Sequence, residues 1–221
     1  MSLRLLAVDT TSDAGSIALA DGERVIEEVA VEGPGGFAHV LFDEIARLLA
    51  RHGLSLAQID CFASAAGPGS FTGVRVGLTA VKGLAEANRR KAVAISNLEA
   101  LAFFGSRPLR ASVLDARRGE IYGAVYDAGL GIVQAESVMP VENWIAGLSR
   151  LAQGDIEIVT NGFALPAHPY PEVRAPRALA GAIAKIAAGR FSRSLALDPA
   201  QIDANYVRRS DAELLWRDPR A

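Results

Sequence analysis

Gly67-Pro68-Gly69-Ser70-Phe71-Thr72-Gly73 interrupts the chain between two regular segments. Residues 59–65, small and β-branched with Cys61 among them, read as a buried strand, and residues 74–88 read as a helix. A strand, a loop with three glycines and two hydroxyls, then a helix start is the geometry that can present backbone amides to an anion. The loop is not a P-loop, because no Gly-Lys-Ser/Thr follows and Lys82 lies too far along the helix. Glycines at 67, 69 and 73 also miss the Gly-x-Gly-x-x-Gly spacing. Two readings stay open: direct anion contact, or a sharp turn capped by Ser70 or Thr72 that only shapes the helix start. Arg75 in the first turn opposes the helix dipole, which favours an acidic group nearby.

Working outward, residues 3–8 read as a strand ending in Asp9-Thr10-Thr11-Ser12. Residues 15–20 and 25–31 flank Asp21-Gly22, a tight-turn signal, so three consecutive strands form a meander. After the break Gly33-Pro34-Gly35-Gly36, the residues Phe37, Leu41, Ile45, Leu48 and His52 recur at helical spacing, and Gly53 closes the segment. Phe42 and Leu49 widen that apolar face, so the helix over 37–52 is expected to be covered on two sides. Residues 92–95 add a short strand. The order βββ-α-β-α is that of a ribonuclease H-like lobe.

The pattern repeats from near residue 100. Residues 110–114 read as a strand ending in Asp115, 120–126 and 132–138 flank the turn Asp127-Ala128-Gly129, 141–152 read as a helix and 156–160 as a strand. The Pro-rich stretch 166–176 reads as a connection, 178–189 as an Ala-rich helix, and 211–217 as a short terminal helix. Two α/β halves on one plan follow: an N-terminal lobe over 1–100 and a smaller C-terminal lobe over 101–221.

The 221 residues suffice for either one large or two small cores. A net charge of −2 argues against a chain that grips nucleic acid unaided, since neutralising phosphates needs clustered cations. Arg107, Arg110, Arg117, Arg118, Arg208 and Arg209 form a basic edge that suits either a solvated face or RNA contact inside an assembly. The single Cys61 reads as a core residue in a reducing compartment, and the absence of a signal or a long apolar run reads as cytoplasmic. His39, His52 and His168 lack the spacing for a shared metal. Asp9 and Asp115 are paired by position. Such acids can orient a metal-bound phosphate, or they can cap their own turns.

The run Ala66-Gly67-Pro68-Gly69-Ser70-Phe71-Thr72-Gly73-Val74-Arg75-Val76-Gly77, followed by Lys82-Gly83-Leu84-Ala85, closely resembles the TsaB (YeaZ) family of bacterial tRNA threonylcarbamoyladenosine synthesis. Ala7-Val8-Asp9-Thr10-Thr11, Asp115 to Tyr122 and Tyr206-Val207-Arg208 agree with it. The resemblance implies two ribonuclease H-like lobes of the actin, Hsp70 and sugar-kinase class. It implies a cytoplasmic subunit with no catalytic residue, metal or cofactor of its own and no membrane contact. Its relative TsaD carries the metal and the catalytic site, a small ATPase, TsaE, joins them, and tRNA is met only through the complex. The homodimer and the pairing with TsaD use one helical face, carried over here to His39, Leu41, Phe42, Ile45, Val74, Leu78 and Val81. ATP or ADP, where bound, would sit at the complex interface, with Asp9, Thr10, Ser70, Thr72, Arg75 and Asp115 as the candidate contacts. The competing readings are a free-standing ATP-binding phosphotransferase or hydrolase and a glycoprotease-like metallopeptidase.

Overall fold

The computed structural model describes residues 3–32, 36–151 and 155–208. Residues 33–35, Arg209 and the terminal helix expected at 211–217 lie outside them, as does residue 152 at the end of the helix expected over 141–152.

The first sheet joins β1 (Arg4–Asp9), β2 (Gly15–Asp21) and β3 (Arg24–Val31), antiparallel in succession, to β4 (Cys61–Ala65) and β5 (Lys91–Ile95), which run parallel to β1. Its order is β3-β2-β1-β4-β5. The second sheet repeats this plan. Antiparallel β6 (Leu109–Arg117), β7 (Glu120–Asp127) and β8 (Ile132–Pro140) are followed by β9 (Ile156–Thr160) and β10 (Glu172–Arg174), in the order β10-β9-β6-β7-β8. Each half therefore has the ribonuclease H-like arrangement expected from the repeated strand–acid–hairpin pattern. Strand β10 lies within the stretch expected to be a plain connection. It is a three-residue edge strand beside Pro171, where a missing N–H is tolerated.

The first sheet is buried on both faces, and the two-residue period of β1 assigns each side chain to one of them. Leu6 and Val8 pack with α1 (Leu41–Arg51) and α2 (Phe71–Ala87), through Ile45, Leu48, Val74, Leu78 and Val81. Leu5 and Ala7 pack on the opposite face with Ile183 and Ala187 of α5 (Ala180–Ser192). In the second lobe, α3 (Asn97–Ala102) sets Leu98 and Ala102 against Ala124 and Tyr126. On the other face α4 (Val141–Leu148) sets Val141, Trp144 and Leu148 against Val113, Ile121 and Ile158.

A division at residue 100 separates the two sheets but not the packing. Helix α5 follows the second sheet in sequence yet covers the first, and Leu197 then pairs with Ala92 at the edge of β5. The first lobe is thus completed by a segment that follows the second sheet and covers, together with Ala100 and Leu101 of α3, the face opposite α1 and α2.

Three further expectations are corrected. The helix expected over 37–52 is a 3-10 turn, Phe37–His39, a break at Val40, and then α1. Helix α2 starts at Phe71, inside the glycine stretch, so Thr72 is a helical residue and not a cap. Asp115 does not end its strand: β6 runs past it to Arg117 with an irregularity between the two.

Candidate functional site

The turn after β1 and the start of α2 are built into one another. Asp9 is 1 % exposed, and its Oδ1 accepts from the Thr11 amide (2.9 Å) and the Thr11 hydroxyl (2.6 Å). The Thr10 hydroxyl donates to the Gly73 carbonyl (2.7 Å), and the Ser70 amide donates to the Thr11 carbonyl (2.7 Å). Asn97 closes the arrangement from α3, donating to the Thr11 hydroxyl (2.6 Å) and accepting from the Gly67 amide (3.0 Å). Ser70 caps α2 by accepting from the Gly73 amide (3.2 Å).

The glycines make this approach possible. A Cβ at Gly69 would lie 2.6 Å from the Thr11 carbonyl oxygen, and one at Gly73 would lie 1.9 Å from that of Thr10. At Gly77 it would meet the Thr10 hydroxyl at 2.6 Å. Gly67 needs its glycine for another reason, a φ of +98°. The Ser70 and Gly73 amides at the start of α2 are thus already engaged within the protein, by the Thr11 carbonyl and the Ser70 hydroxyl. Close packing accounts for Gly69 and Gly73, and backbone conformation for Gly67.

Between the lobes lies a cleft of about 850 Å³. Asp9, Thr11, Asp13, Gly69 and Ser70 line it from the first lobe, and Asp115, Arg117, Asn161, Arg174 and Arg177 from the second. The two sequence-paired acids are therefore brought to one cavity, but in unlike states. Burial holds the Asp9 carboxyl above its usual range, against the Thr11 hydrogen bonds that favour its charged form. Asp115 is partly exposed and accepts from the Arg117 amide (2.7 Å), which is the turn-capping role. Asp13 pairs with Arg177 (2.5 Å) across the mouth. Among the described residues, no group of three or more His, Cys, Asp or Glu side chains has metal-holding geometry. Burial pushes the Cys61 thiol up to about 12, which suits a core residue and not a nucleophile.

Glu136 ties the lobes together from β8. It accepts from the Ser96 hydroxyl (2.5 Å), the Tyr126 hydroxyl (2.9 Å) and the Asn205 amide side chain (2.5 Å). Neither Glu136 nor Asn97 stood out in sequence, although Ser96-Asn97-Leu98-Glu99 has the spacing of a capping box that marks a helix start.

The residues carried over as a partner face divide sharply. Leu41 (1 %), Ile45 (2 %), Val74 (3 %), Leu78 (5 %) and Val81 (0 %) are buried under their own sheet and cannot be offered to a partner. That expectation is corrected: their helical spacing marks the core side of α1 and α2. His39 and Phe42 are exposed, Phe42 by 54 %. On the outer side of α1, Phe42, Ala46 and Ala50 succeed one another every four residues, and α2 exposes Thr79 and Gly83. Thr10 and Arg75 are both engaged within the protein, Arg75 through Tyr206 and Phe71.

The family model described as "TsaD: tRNA N6-adenosine threonylcarbamoyltransferase" matches residues 36–190. The tRNA threonylcarbamoyladenosine biosynthesis protein TsaB of Haemophilus influenzae is 41 % identical over 55 % of this chain and 52 % of that protein. The Escherichia coli protein of the same description is 34 % identical over 56 % of this chain and 55 % of its own length. The matched segments thus span about half the length of these curated relatives. A Pseudomonas aeruginosa crystal structure, described as an uncharacterized protein with similarity to peptidase YEAZ, superposes with a TM-score of 0.78 at 28 % identity, covering 93 % of this chain and 100 % of that one. The two-lobed architecture, the family model and these relatives agree, and the chain belongs to the TsaD family of proteins and, within it, to the TsaB (YeaZ) family.

Proposed function

We propose that this chain is a non-catalytic, activating subunit of the assembly that forms threonylcarbamoyladenosine at position 37 of tRNAs reading ANN codons. The observation that carries this reading is the closed junction, where the Ser70 and Gly73 amides at the start of α2 are already paired within the protein. A lobe that bound and turned over phosphate would keep those amides open. Its relatives' names supply the reaction. The outer faces of α1 and α2, with Phe42, Ala46, Thr79 and Gly83, dock a TsaD-type catalytic subunit in this reading, and a second copy of the chain when that partner is absent. Docking selects the partner's active conformation, so this subunit acts by differential affinity and not by contact with the reacting atoms. A TsaE-type ATPase and any ATP or ADP belong to the assembled interface.

The test is reconstitution with TsaD-type and TsaE-type proteins and tRNA. Modification that depends on this chain supports the role; equal modification without it, or modification by this chain alone, refutes it. The cleft with Asp9 and Asp115 favours one alternative, a free-standing ATP-binding enzyme. Calorimetry with magnesium and ATP distinguishes that case by an affinity lost in Asp9→Ala.

A further inference from the structure

Phe71 and Tyr206 are two of the largest exposed apolar side chains, at 43 % and 50 % exposure, and they sit together with their ring centroids 5.5 Å apart. The Arg75 guanidinium lies 3.7 Å over the Phe71 ring and donates from Nε to the Tyr206 hydroxyl (3.0 Å). Aromatic rings and a guanidinium plane are thus held in place before any ligand arrives. The core does not require this arrangement: it ties the surface of α2 to a segment 131 residues away in sequence.

The same segment carries cations to the spot. Two residues beyond Tyr206, Arg208 donates to the Ala116 carbonyl (2.9 Å), pairs with Glu120 and lies over the Tyr122 ring. That anchors the segment to the β6–β7 turn, Arg117-Arg118-Gly119. Arg117 and Arg118 have φ of +66° and +58°, a left-handed conformation that costs a side-chain-bearing residue free energy and that Asn or Gly adopts with less strain. The side chain of Arg117 is 87 % exposed there. Arg117 pairs with Asp115 and Arg208 with Glu120, and with Arg75 and Arg118 the four arginines outnumber these carboxylates and Asp13, which also acts on Arg117, on a chain of net charge −2.

We infer that Phe71, Arg75 and Tyr206, flanked by Arg117 and Arg118, form a stacking platform for unpaired bases of an RNA loop. Every base offers a π-face to a ring or a guanidinium, and the arginines supply phosphate contacts. Phe, Tyr and Arg are also enriched at protein interfaces, so it is the flanking cations, and not the rings, that favour RNA here. The inference deepens the proposed function and rests on it for the choice of tRNA as the loop's source; the platform itself does not depend on the TsaD-type partner.

Two measurements test it, with a fluorescein-labelled tRNA anticodon stem–loop as the probe on the chain alone at low salt, and labelled ANN-reading tRNA on the chain saturated with its TsaD-type partner. Phe71→Leu/Tyr206→Leu keeps apolar bulk at two half-exposed positions and removes the rings. It is expected to weaken RNA binding about tenfold or more in both settings. Arg117→Asn suits the left-handed backbone and is expected to lower the salt dependence of log K by about one phosphate contact. Wild-type chain that gives no anisotropy change with the stem–loop overturns the inference, as does RNA affinity in both variants within about twofold of wild type. Loss of partner binding with unchanged RNA affinity also overturns it, by assigning the surface to protein. Failure of the wild-type chain to join the partner on size exclusion counts against the proposed function and leaves the stem–loop result to decide the platform.

Discussion

Gly73 and Gly83 lie in the same helix and should respond to alanine with opposite signs. At Gly73 the new Cβ would sit 1.9 Å from the Thr10 carbonyl oxygen and 2.9 Å from its carbon. Both are backbone atoms, so no rotamer change relieves the contact, and the start of α2 must move by roughly an ångström to reach van der Waals separation. That shift strains the bond from the Thr10 hydroxyl to the Gly73 carbonyl, 2.7 Å long and buried. Overpacking costs about 1–3 kcal/mol and a weakened buried hydrogen bond about 1 kcal/mol. The helix-propensity gain of Gly→Ala is only about 1 kcal/mol. Destabilisation prevails, at about 2 kcal/mol, or about 4–8 °C in Tm for a chain of this size. At Gly83 a Cβ meets nothing within 4 Å, so only the propensity gain remains, worth about 2–4 °C upward. Thermal and urea unfolding of both variants measure this. A Gly73→Ala chain as stable as wild type would refute the account of the glycine loop as a packing device.

Four other outcomes are expected. Asn97→Ala removes the bridge between the Gly67 amide and the Thr11 hydroxyl and should cost about 2 kcal/mol in urea unfolding, because both groups are left buried without that partner. Arg190→Met leaves Glu99, whose carboxyl burial already holds high, without its ion pair at 2.5 Å, and should cost about 3 kcal/mol by the same assay. The Asp9 carboxyl is raised from 3.8 in the fold, so its contribution to stability falls as pH rises from 3.8 through the folded value. Asp9→Asn keeps an oxygen for the Thr11 donors and should gain on wild type with rising pH over that window; a pH-independent difference between the two refutes it. Leu41→Asp should unfold the first lobe, since Leu41 is 1 % exposed, whereas Phe42→Asp should melt within about 2 °C of wild type and lose the TsaD-type partner on size exclusion.

What could be read in advance depended on whether a signal was local. The strands of both meanders showed because alternation and turn pairs such as Asp21-Gly22 lie within a few residues of each other. Strand β10 did not show, because three residues flanked by proline carry no period, and β9 alone holds them as a strand. The spacing of Leu41 and Ile45 marked an apolar helical side correctly but could not say which neighbour covers it. The sheet does, which leaves the less conspicuous Phe42, Ala46 and Ala50 outside. The glycine loop was legible as a junction, yet its tenants, Thr10 and Thr11, are some 60 residues away, and the third participant, Asn97, carries no motif of its own. The pairing of Phe71 with Tyr206 is longer in range still.

The return of α5 to the first sheet has a consequence for how the chain acquires its structure. Leu5, Ala7, Cys61 and Ala63 form one wall of a core whose opposite wall, Ile183 to Ala188, is among the last structured parts to be synthesised. Until then that face lacks its α5 cover, while the second lobe, whose helices α3 and α4 come from within residues 97–148, can close first. The second lobe can therefore be completed before the first, the reverse of the order in which their first strands emerge. Chains stopped before α5 would expose a continuous apolar surface of the kind that aggregates or recruits chaperones. Sequence separations this large also place the final docking of α5 among the slow steps of folding.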